Sequence, residues 1–159
     1  MTARNIIESL AMLPHPEGGY YKETYRHPQV ITLENGKKRN LTTTIYYLLE
    51  GGDRSHFHRL CSDETWFFHS GQCIELIMLQ DGKMITQLVG NRISEGETPQ
   101  LLIPANTWFG AQLLQDEGYG LVSCTVSPGF DLADFELATE KQLLSEGYAV
   151  TDAYKPFIR

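Results

Sequence analysis

Residues 55–71, SHFHRLCSDETWFFHSG, contain three of the five histidines of the chain and two of its carboxylates. In a β-strand the side chains at i and i+2 project to the same face, so His56 and His58 are expected to point the same way. Glu64 and Trp66 stand in the same relation on the next extended segment. If the intervening turn brings the two strands together, one wall carries two imidazoles, a carboxylate and an aromatic floor.

The remaining chain predicts many short strands and little helix. Helical signals occur only near the ends, at residues 1–13 and at residues 139–147, where Thr139 and Gln142 have capping-box spacing. A parallel α/β sheet would need crossover helices, which this pattern lacks. We therefore predict an all-β sandwich or closed barrel over residues 18–137, within a single domain of 159 residues.

Two dipeptides predict hairpin turns between apolar arms. Asn35-Gly36 is a pair favoured by type I′ turns, and Asp81-Gly82 separates two further β-rich runs. Both hairpins support the all-β prediction.

The segment YYKETYR, residues 20–26, alternates as a strand does. Strand periodicity places Tyr21, Glu23 and Tyr25 on one face. The segment is therefore predicted to be a strand.

Charge and composition exclude several classes of function. A net charge of −7 argues against binding to nucleic-acid phosphates, which needs a positive surface. The N-terminus has no signal-peptide pattern, and no run approaches the roughly 20 apolar residues that cross a bilayer. Three cysteines without a Cys-x-x-Cys pair indicate reduced thiols, so we expect a cytoplasmic protein with no nucleic-acid or membrane partner.

From the residues alone, three interpretations of the histidine segment remain open. Two histidines and a carboxylate, His56, His58 and Glu64, would suit iron, zinc or manganese. His58 and Glu64 could instead form an acid/base pair without metal. The third possibility is a polar strand pair with no chemical role.

The order of five residues in this region resembles the first motif of the cupin superfamily, which runs Gly, His-x-His, Glu and Gly. The corresponding residues are Gly51, His56, His58, Glu64 and Gly71. The gap of five residues between His58 and Glu64 is slightly longer than the family pattern.

The second cupin motif, Pro-x-Gly-x-x-His, corresponds to the stretch PANTWF at residues 104–109. Pro104 is present, but Asn106 replaces the glycine and Phe109 stands where the fourth ligand histidine would be. A phenyl ring cannot ligate a metal, so this departure favours a pocket without tightly bound metal. We expect no cofactor, with a divalent metal as the alternative.

Four blocks, LPHPEGGYYKETYR, SHFHRLCSDETWFFHSG, IPANTWFGA and VSPGFDLADFEL, resemble the small cupin family DUF985, also called Cupin_5. The resemblance covers nearly the whole chain. It implies a cupin-type double-stranded β-helix, or jelly-roll barrel, with short terminal helices, and it implies a homodimer.

The predicted function is binding of a small polar metabolite in the barrel mouth, and the reaction considered for it is metal-independent isomerisation or epimerisation of a sugar-like substrate. His58 and Glu64 are the predicted catalytic pair. The predicted ligand-binding residues are Glu23, Arg59, Trp66 and Phe109. The alternatives are a metal-dependent oxygenase or isomerase and a structural or regulatory dimer without catalysis.

Metal-free cupins that epimerise deoxysugar nucleotides are similar at the level of the fold, which is an analogy only. By that analogy an aspartate, Asp131 or Asp134, would orient the histidine. The opposing acid would be a tyrosine, with Tyr20, Tyr21 and Tyr46 as candidates. His15 is interpreted as a turn residue packed on the end of the barrel.

Overall fold

Thirteen short β-strands dominate the computed structural model, which describes residues 1–159. Two helices lie near the ends of the chain, and three single 3₁₀ turns lie between or after the strands. The strands are β1 (Leu13–Pro14), β2 (Tyr20–Arg26), β3 (Val30–Thr32), β4 (Lys38–Asn40), β5 (Thr43–Glu50), β6 (Arg54–Arg59), β7 (Asp63–Gly71), β8 (Ile74–Gln80), β9 (Lys83–Val89), β10 (Gln100–Ile103), β11 (Trp108–Leu113), β12 (Tyr119–Ser127) and β13 (Glu136–Leu137). The helices are α1 (Ala3–Ser9) and α2 (Glu140–Ser145), and the 3₁₀ turns span Ile93–Glu95, Leu132–Asp134 and Lys155–Phe157.

The strands form two antiparallel sheets that pack face to face. The six-stranded sheet has the order β1-β2-β5-β12-β7-β10, and the five-stranded sheet has the order β13-β6-β11-β8-β9. Strands β3 and β4 pair only with each other. Sequential strands such as β6 and β7 lie in different sheets, so the chain crosses repeatedly between the two layers, as a jelly roll requires.

The main core lies between the two sheets, and each sheet is also covered on its outer face. Fourteen buried residues, including Trp66 and Phe109, form the core between the sheets. Helix α1 packs Ile6 against Leu48 on one outer face. On the other, the C-terminal residues pack against the five-stranded sheet, with Phe157 contacting Phe57 at a ring distance of 5.2 Å. This covering explains why several strands are buried on both faces.

The terminal helices are shorter than the sequence predicts. Helix α1 ends at Ser9, not near residue 13, because Ala11 adopts a left-handed φ of 50° that cannot continue a helix. Helix α2 begins after Thr139, whose side chain accepts a hydrogen bond from the Gln142 amide in the predicted capping box. Neither helix is long and apolar enough to span a bilayer.

The two predicted hairpin turns have different outcomes. Asp81 and Gly82 both have positive φ, and Gln80 pairs with Lys83, which confirms a two-residue turn there. The type I′ assignment at Asn35-Gly36 is wrong, because only the glycine has positive φ. The hydrogen bond from the Gly36 amide to the carbonyl of residue 33 instead closes a three-residue loop that ends in a left-handed glycine.

Candidate functional site

A cavity of about 130 Å³ lies between the sheets. Its walls come from four strands of the six-stranded sheet, from β6 of the five-stranded sheet, from the loop between β1 and β2 and from the segment between β12 and β13. The ionisable side chains that line it, phenols and thiols aside, are His15, Glu17, Glu23, Arg26, His58 and Glu64. Three carboxylates and three basic groups thus share one small enclosure.

His58 is held at both ring nitrogens. Its Nδ1 lies 2.7 Å from the carbonyl oxygen of His56, an acceptor only, so Nδ1 carries a proton. Its Nε2 lies 2.7 Å from Oε2 of Glu17. Burial alone would lower the pKa of His58, but the Glu17 carboxylate outweighs this effect and raises that pKa. The two side chains share one proton as a buried ion pair.

Glu17 is positioned by the backbone around it. Its carbonyl oxygen accepts hydrogen bonds from the His56 amide at 2.7 Å and from the His56 Nδ1 at 2.6 Å. Burial alone would raise the pKa of Glu17, but the adjacent His58 outweighs it and lowers that pKa. The Glu17 amide donates to Nδ1 of His15 at 3.2 Å, and burial lowers the pKa of His15, so that second imidazole is neutral. Glu17 therefore stays ionised in an otherwise dry position.

The pKa of Glu64 shifts in the opposite direction to that of Glu17. Its Oε1 accepts a hydrogen bond from Nε1 of Trp66 at 2.9 Å, and no cation is in hydrogen-bonding contact with it. Burial, together with the negative charge of Glu17, raises the pKa of Glu64 to about 7. Two carboxylates of one cavity thus titrate in opposite directions from their ordinary values. His58 pairs directly with Glu17, whereas the sequence predicted Glu64 as its partner.

A β-bulge in β2 brings an arginine to the cavity. The pairing of β2 with β5 skips one residue between Glu23 and Tyr25, so the alternation of faces changes there. Tyr25 consequently points to solvent and Arg26 lines the cavity beside Glu23. Arg26 Nε and Nη2 donate to the two oxygens of Glu23 at 2.9 and 2.8 Å, and its Nη1 donates to Asn40 Oδ1 at 2.9 Å and to the Phe130 carbonyl at 3.1 Å.

Arg59, a predicted ligand-binding residue, lies away from this cavity. Its guanidinium donates to Glu136 at 2.6 Å and to Glu146 at 3.1 Å. It also stacks over the ring of Trp108 at 4.1 Å. These contacts attach the C-terminal helix to the barrel, so Arg59 stabilises the fold there and does not line the cavity.

Trp66 and Phe109 lie directly behind the cavity wall. Trp66 is fully buried and holds Glu64 through its indole N–H. Phe109 pairs with His58 across β11 and β6, and the two rings are 4.1 Å apart. Both residues shape the site by drying and orienting the groups that line the cavity.

The predicted auxiliary acids fall in different places. Of the three tyrosines, Tyr21 lines the cavity, whereas Tyr20 and Tyr46 pack near helix α1. Asp134 forms a two-bond ion pair with Arg39, at 2.6 and 2.7 Å, so it is not available to orient His58. That orienting role belongs to Glu17 and the His56 carbonyl.

The predicted metal donors do not converge. His56 turns its Nδ1 toward the carbonyl of Glu17, while His58 has both nitrogens engaged in hydrogen bonds. Phe109 occupies the position where a fourth donor would stand. No group of three or more His, Cys, Asp or Glu side chains is arranged to hold a metal ion. These residues do not fit a tightly held metal.

Sequence reasoning missed Glu17 and Arg26, and it assigned His15 to a turn. The signal for Glu17 and His15 was their enclosure in PHPEGG, where prolines and glycines hold two polar side chains in a rigid loop. Arg26 had no such signal, because strand periodicity placed it on the opposite face. Tyr47 and Cys124 also line the cavity, and burial raises both of their pKa values well above the ordinary range.

Comparisons with known proteins identify the family. The profile of the Cupin superfamily (DUF985) matches residues 4–138. An uncharacterized protein of Saccharomyces cerevisiae is 30% identical over 145 residues, which cover 82% of this chain and 72% of that protein. A hypothetical protein from Leishmania major has 39% identity and a TM-score of 0.91, with 99% of each chain covered. A protein from Shewanella oneidensis has 38% identity and a TM-score of 0.87, with 100% of this chain and 98% of that chain covered.

More distant cupins share the fold alone. A cupin-like protein from Thermotoga maritima, at 14% identity, aligns with a TM-score of 0.50 over 88% of this chain and 84% of its own. Together with the two packed antiparallel sheets, these findings confirm the predicted jelly-roll fold, and the chain belongs to the DUF985 family of the cupin superfamily.

Proposed function

We propose that this cupin binds a small polar metabolite in the cavity and catalyses a metal-independent proton transfer on it, of the isomerase or epimerase type. The observation that supports this most directly is the pair of buried carboxylates, Glu17 and Glu64, whose pKa values move in opposite directions. Environments that separate the pKa values of neighbouring acids are typical of acid/base sites.

The size of the cavity limits what can react there. A cavity of about 130 Å³ is close to the roughly 150 Å³ that holds one benzene molecule in an engineered apolar site. A six-membered ring or an open chain of similar size therefore fits, and a whole nucleotide sugar does not. The reacting group is a small hydroxyketone or hydroxyaldehyde, or that part of a larger molecule.

The two sheets supply the two partners of a proton transfer. Glu64 lies on β7 of the six-stranded sheet, and His58, paired with Glu17, lies on β6 of the five-stranded sheet. Ionised Glu64 takes a proton from the carbon next to a carbonyl, and the electrons of that C–H bond move to the carbonyl oxygen. The shared proton of the Glu17–His58 pair passes to this oxygen or to the opposite face of the carbon. Groups in such roles typically contribute about 10²- to 10⁴-fold in rate.

Solvent exchange tests this directly. The protein is incubated in heavy water with a panel of small hydroxyketones, hydroxyaldehydes and aminoketones, and incorporation of deuterium next to the carbonyl is followed by proton NMR. We expect exchange with at least one member of the panel, and we expect it to be lost in Glu64→Gln. The matched control is Glu34→Gln, which changes an exposed carboxylate outside the cavity and should leave exchange unchanged. Absence of enzyme-dependent exchange across the panel would refute the catalytic proposal.

We also propose that the chain forms a homodimer, on the family resemblance alone. Sedimentation equilibrium measures the mass directly. A single species of 18.0 kDa at micromolar concentration would contradict this proposal.

A further inference from the structure

The charges in the cavity are balanced except at one position. Glu17 is neutralised by His58 at 2.7 Å, and Glu23 by Arg26 through two hydrogen bonds. Glu64, whose exposed fraction is 7%, receives the neutral indole N–H of Trp66 and interacts with the neutral thiol of Cys124, but no cation pairs with it. A buried carboxylate without a cationic partner is costly unless it stays protonated or a ligand supplies the charge.

The charged hydrogen-bonding groups left for a ligand are acceptors. Both N–H groups of His58 are used within the protein, and so is the Tyr47 hydroxyl, which donates to the Gly18 carbonyl at 2.7 Å. The Trp66 N–H is used by Glu64, and Arg26 already donates to four oxygens. The lining also offers neutral donors, namely the Tyr21 and Thr43 hydroxyls and the Nε2–H of His15. The charged groups that remain are carboxylate oxygens, which favour a cationic donor on the ligand.

Aromatic rings make up much of the remaining wall. Tyr21, Tyr47, Phe130 and Phe135 line the same cavity, with the neutral His15 ring 4.8 Å from Tyr21 and 5.9 Å from Phe135. The faces of such rings attract cations through their quadrupole, more strongly when water is excluded. An anion would instead meet the unpaired carboxylate of Glu64.

We propose that the ligand carries a small organic ammonium group, which binds against Glu64 and the aromatic rings of this cavity. This inference rests on the proposed function and specifies its ligand class. An ammonium group beside Glu64 favours the ionised carboxylate, which is the form that accepts a proton. Small amino ketones and amino sugars carry both the ammonium group and the carbonyl that the proposed reaction needs.

Isothermal titration calorimetry at pH 8 with two pairs of probes tests the charge requirement. Choline is compared with its neutral carbon isostere 3,3-dimethylbutan-1-ol, and ethanolamine with ethylene glycol. We expect at least one cation to bind about tenfold or more tightly than its neutral partner, because charge pairing and ring contacts add. The first pair tests a quaternary ammonium, and the second a primary one.

The variant Glu64→Gln should remove the preference for the cation, while Glu34→Gln should retain it. A circular-dichroism melt confirms that both variants are folded. Equal binding of neutral and cationic partners, a preference that survives in Glu64→Gln, or no binding of either cation at millimolar concentration would overturn the inference.

The same probes separate this inference from the proposed function. Deuterium exchange into a neutral hydroxyketone without ammonium binding would overturn the ligand class and leave the catalytic proposal standing. Ammonium binding that depends on Glu64, without exchange into any aminoketone or hydroxyketone, would support the ligand class and refute catalysis.

Discussion

Replacing Glu64 by glutamine should make the protein more stable at neutral and alkaline pH. The carboxylate is buried, and its only hydrogen bond to a side-chain N–H comes from Trp66 Nε1. Glutamine has the same shape and keeps an oxygen that can accept that bond. The variant therefore removes a buried charge without opening a cavity.

The magnitude follows from the pKa. Glu64 titrates at about 7 in the folded chain against an ordinary value of 4.5, so the folded state holds the proton over this interval while the unfolded state has lost it. The free energy of unfolding consequently falls as the pH rises from 4.5 to 7 and then levels off. At about 1.4 kcal/mol per pH unit, the interval corresponds to about 3 kcal/mol. Below pH 4.5 the contribution disappears, because both states are protonated.

Urea unfolding of the wild type and of Glu64→Gln at pH 4 and pH 8 measures this difference. We expect the variant to gain about 3 kcal/mol relative to the wild type between the two pH values, which corresponds to about 6–12 °C in Tm for a chain of this size. Glu34→Gln should show no such change. A Glu64→Gln variant that loses stability at pH 8, or whose effect is the same at both pH values, would refute the burial of an uncompensated charge. If Glu64→Gln is more stable than the wild type but has lost deuterium exchange, Glu64 is retained for function at a cost in stability.

Three further predictions concern the surroundings of Glu64. Glu17→Gln should destabilise the fold by about 3–5 kcal/mol in urea unfolding, most strongly between about pH 4.5 and 6.5. In that window both pKa shifts stabilise the wild type, because the raised pKa of His58 acts below pH 6.5 and the lowered pKa of Glu17 acts above pH 4.5. The loss should shrink above the folded pKa of His58, and a loss that is constant with pH would contradict the ion pair. Added Fe(II), Mn(II) or Zn(II) should leave Tm unchanged, because both nitrogens of His58 are already engaged; a saturable rise in Tm would show a metal site. Gly18→Ala should abolish deuterium exchange, because a Cβ there would lie 1.9 Å from the Arg54 carbonyl oxygen at a φ of +111° and would displace Glu17; unchanged exchange would show that the loop position is not critical.

The fold was predictable because its signals are local and agree with one another. Alternation, turn dipeptides and the near absence of helix all indicate an antiparallel sandwich or barrel. Asp81-Gly82 forms the turn that its sequence favours, because the flanking strands β8 and β9 remain paired up to the turn. At Asn35-Gly36 the paired arms are only three residues each, and the loop takes one more residue. The type of turn there is decided by the residues at which β3 and β4 begin to pair, and not by the preference of the Asn-Gly dipeptide.

The site was predictable only in part, because two of its residues depend on features that alternation does not encode. The bulge in β2 is a single extra residue, and it reverses the alternation of side chains in the rest of the strand. Arg26 therefore lines the cavity, and Tyr25 points away from it. Glu17 reaches His58 across a separation of 41 positions in sequence, from a loop that only the folded barrel brings beside β6. The predicted single wall is wrong, because His58 and Glu64 line the cavity from opposite sheets. Their direct partners are Glu17 and Trp66.

The phenyl ring of Phe109 connects these observations. It stands at the position of the fourth cupin ligand and lies 4.1 Å from the His58 ring. A second imidazole there would compete with Glu17 for His58 and would bring another polar group and its water into the wall. The phenyl ring instead keeps that side of the cavity dry, and dryness makes the charge on Glu64 costly and the Glu17–His58 attraction strong. One substitution in the metal-binding pattern thus removes a ligand and favours acid/base chemistry by the groups that remain. Phe109→His should therefore lower the pKa of Glu64 toward its ordinary value, which carboxyl-labelled NMR titration measures, and a pKa that stays near 7 would show that the phenyl ring is not what dries the site.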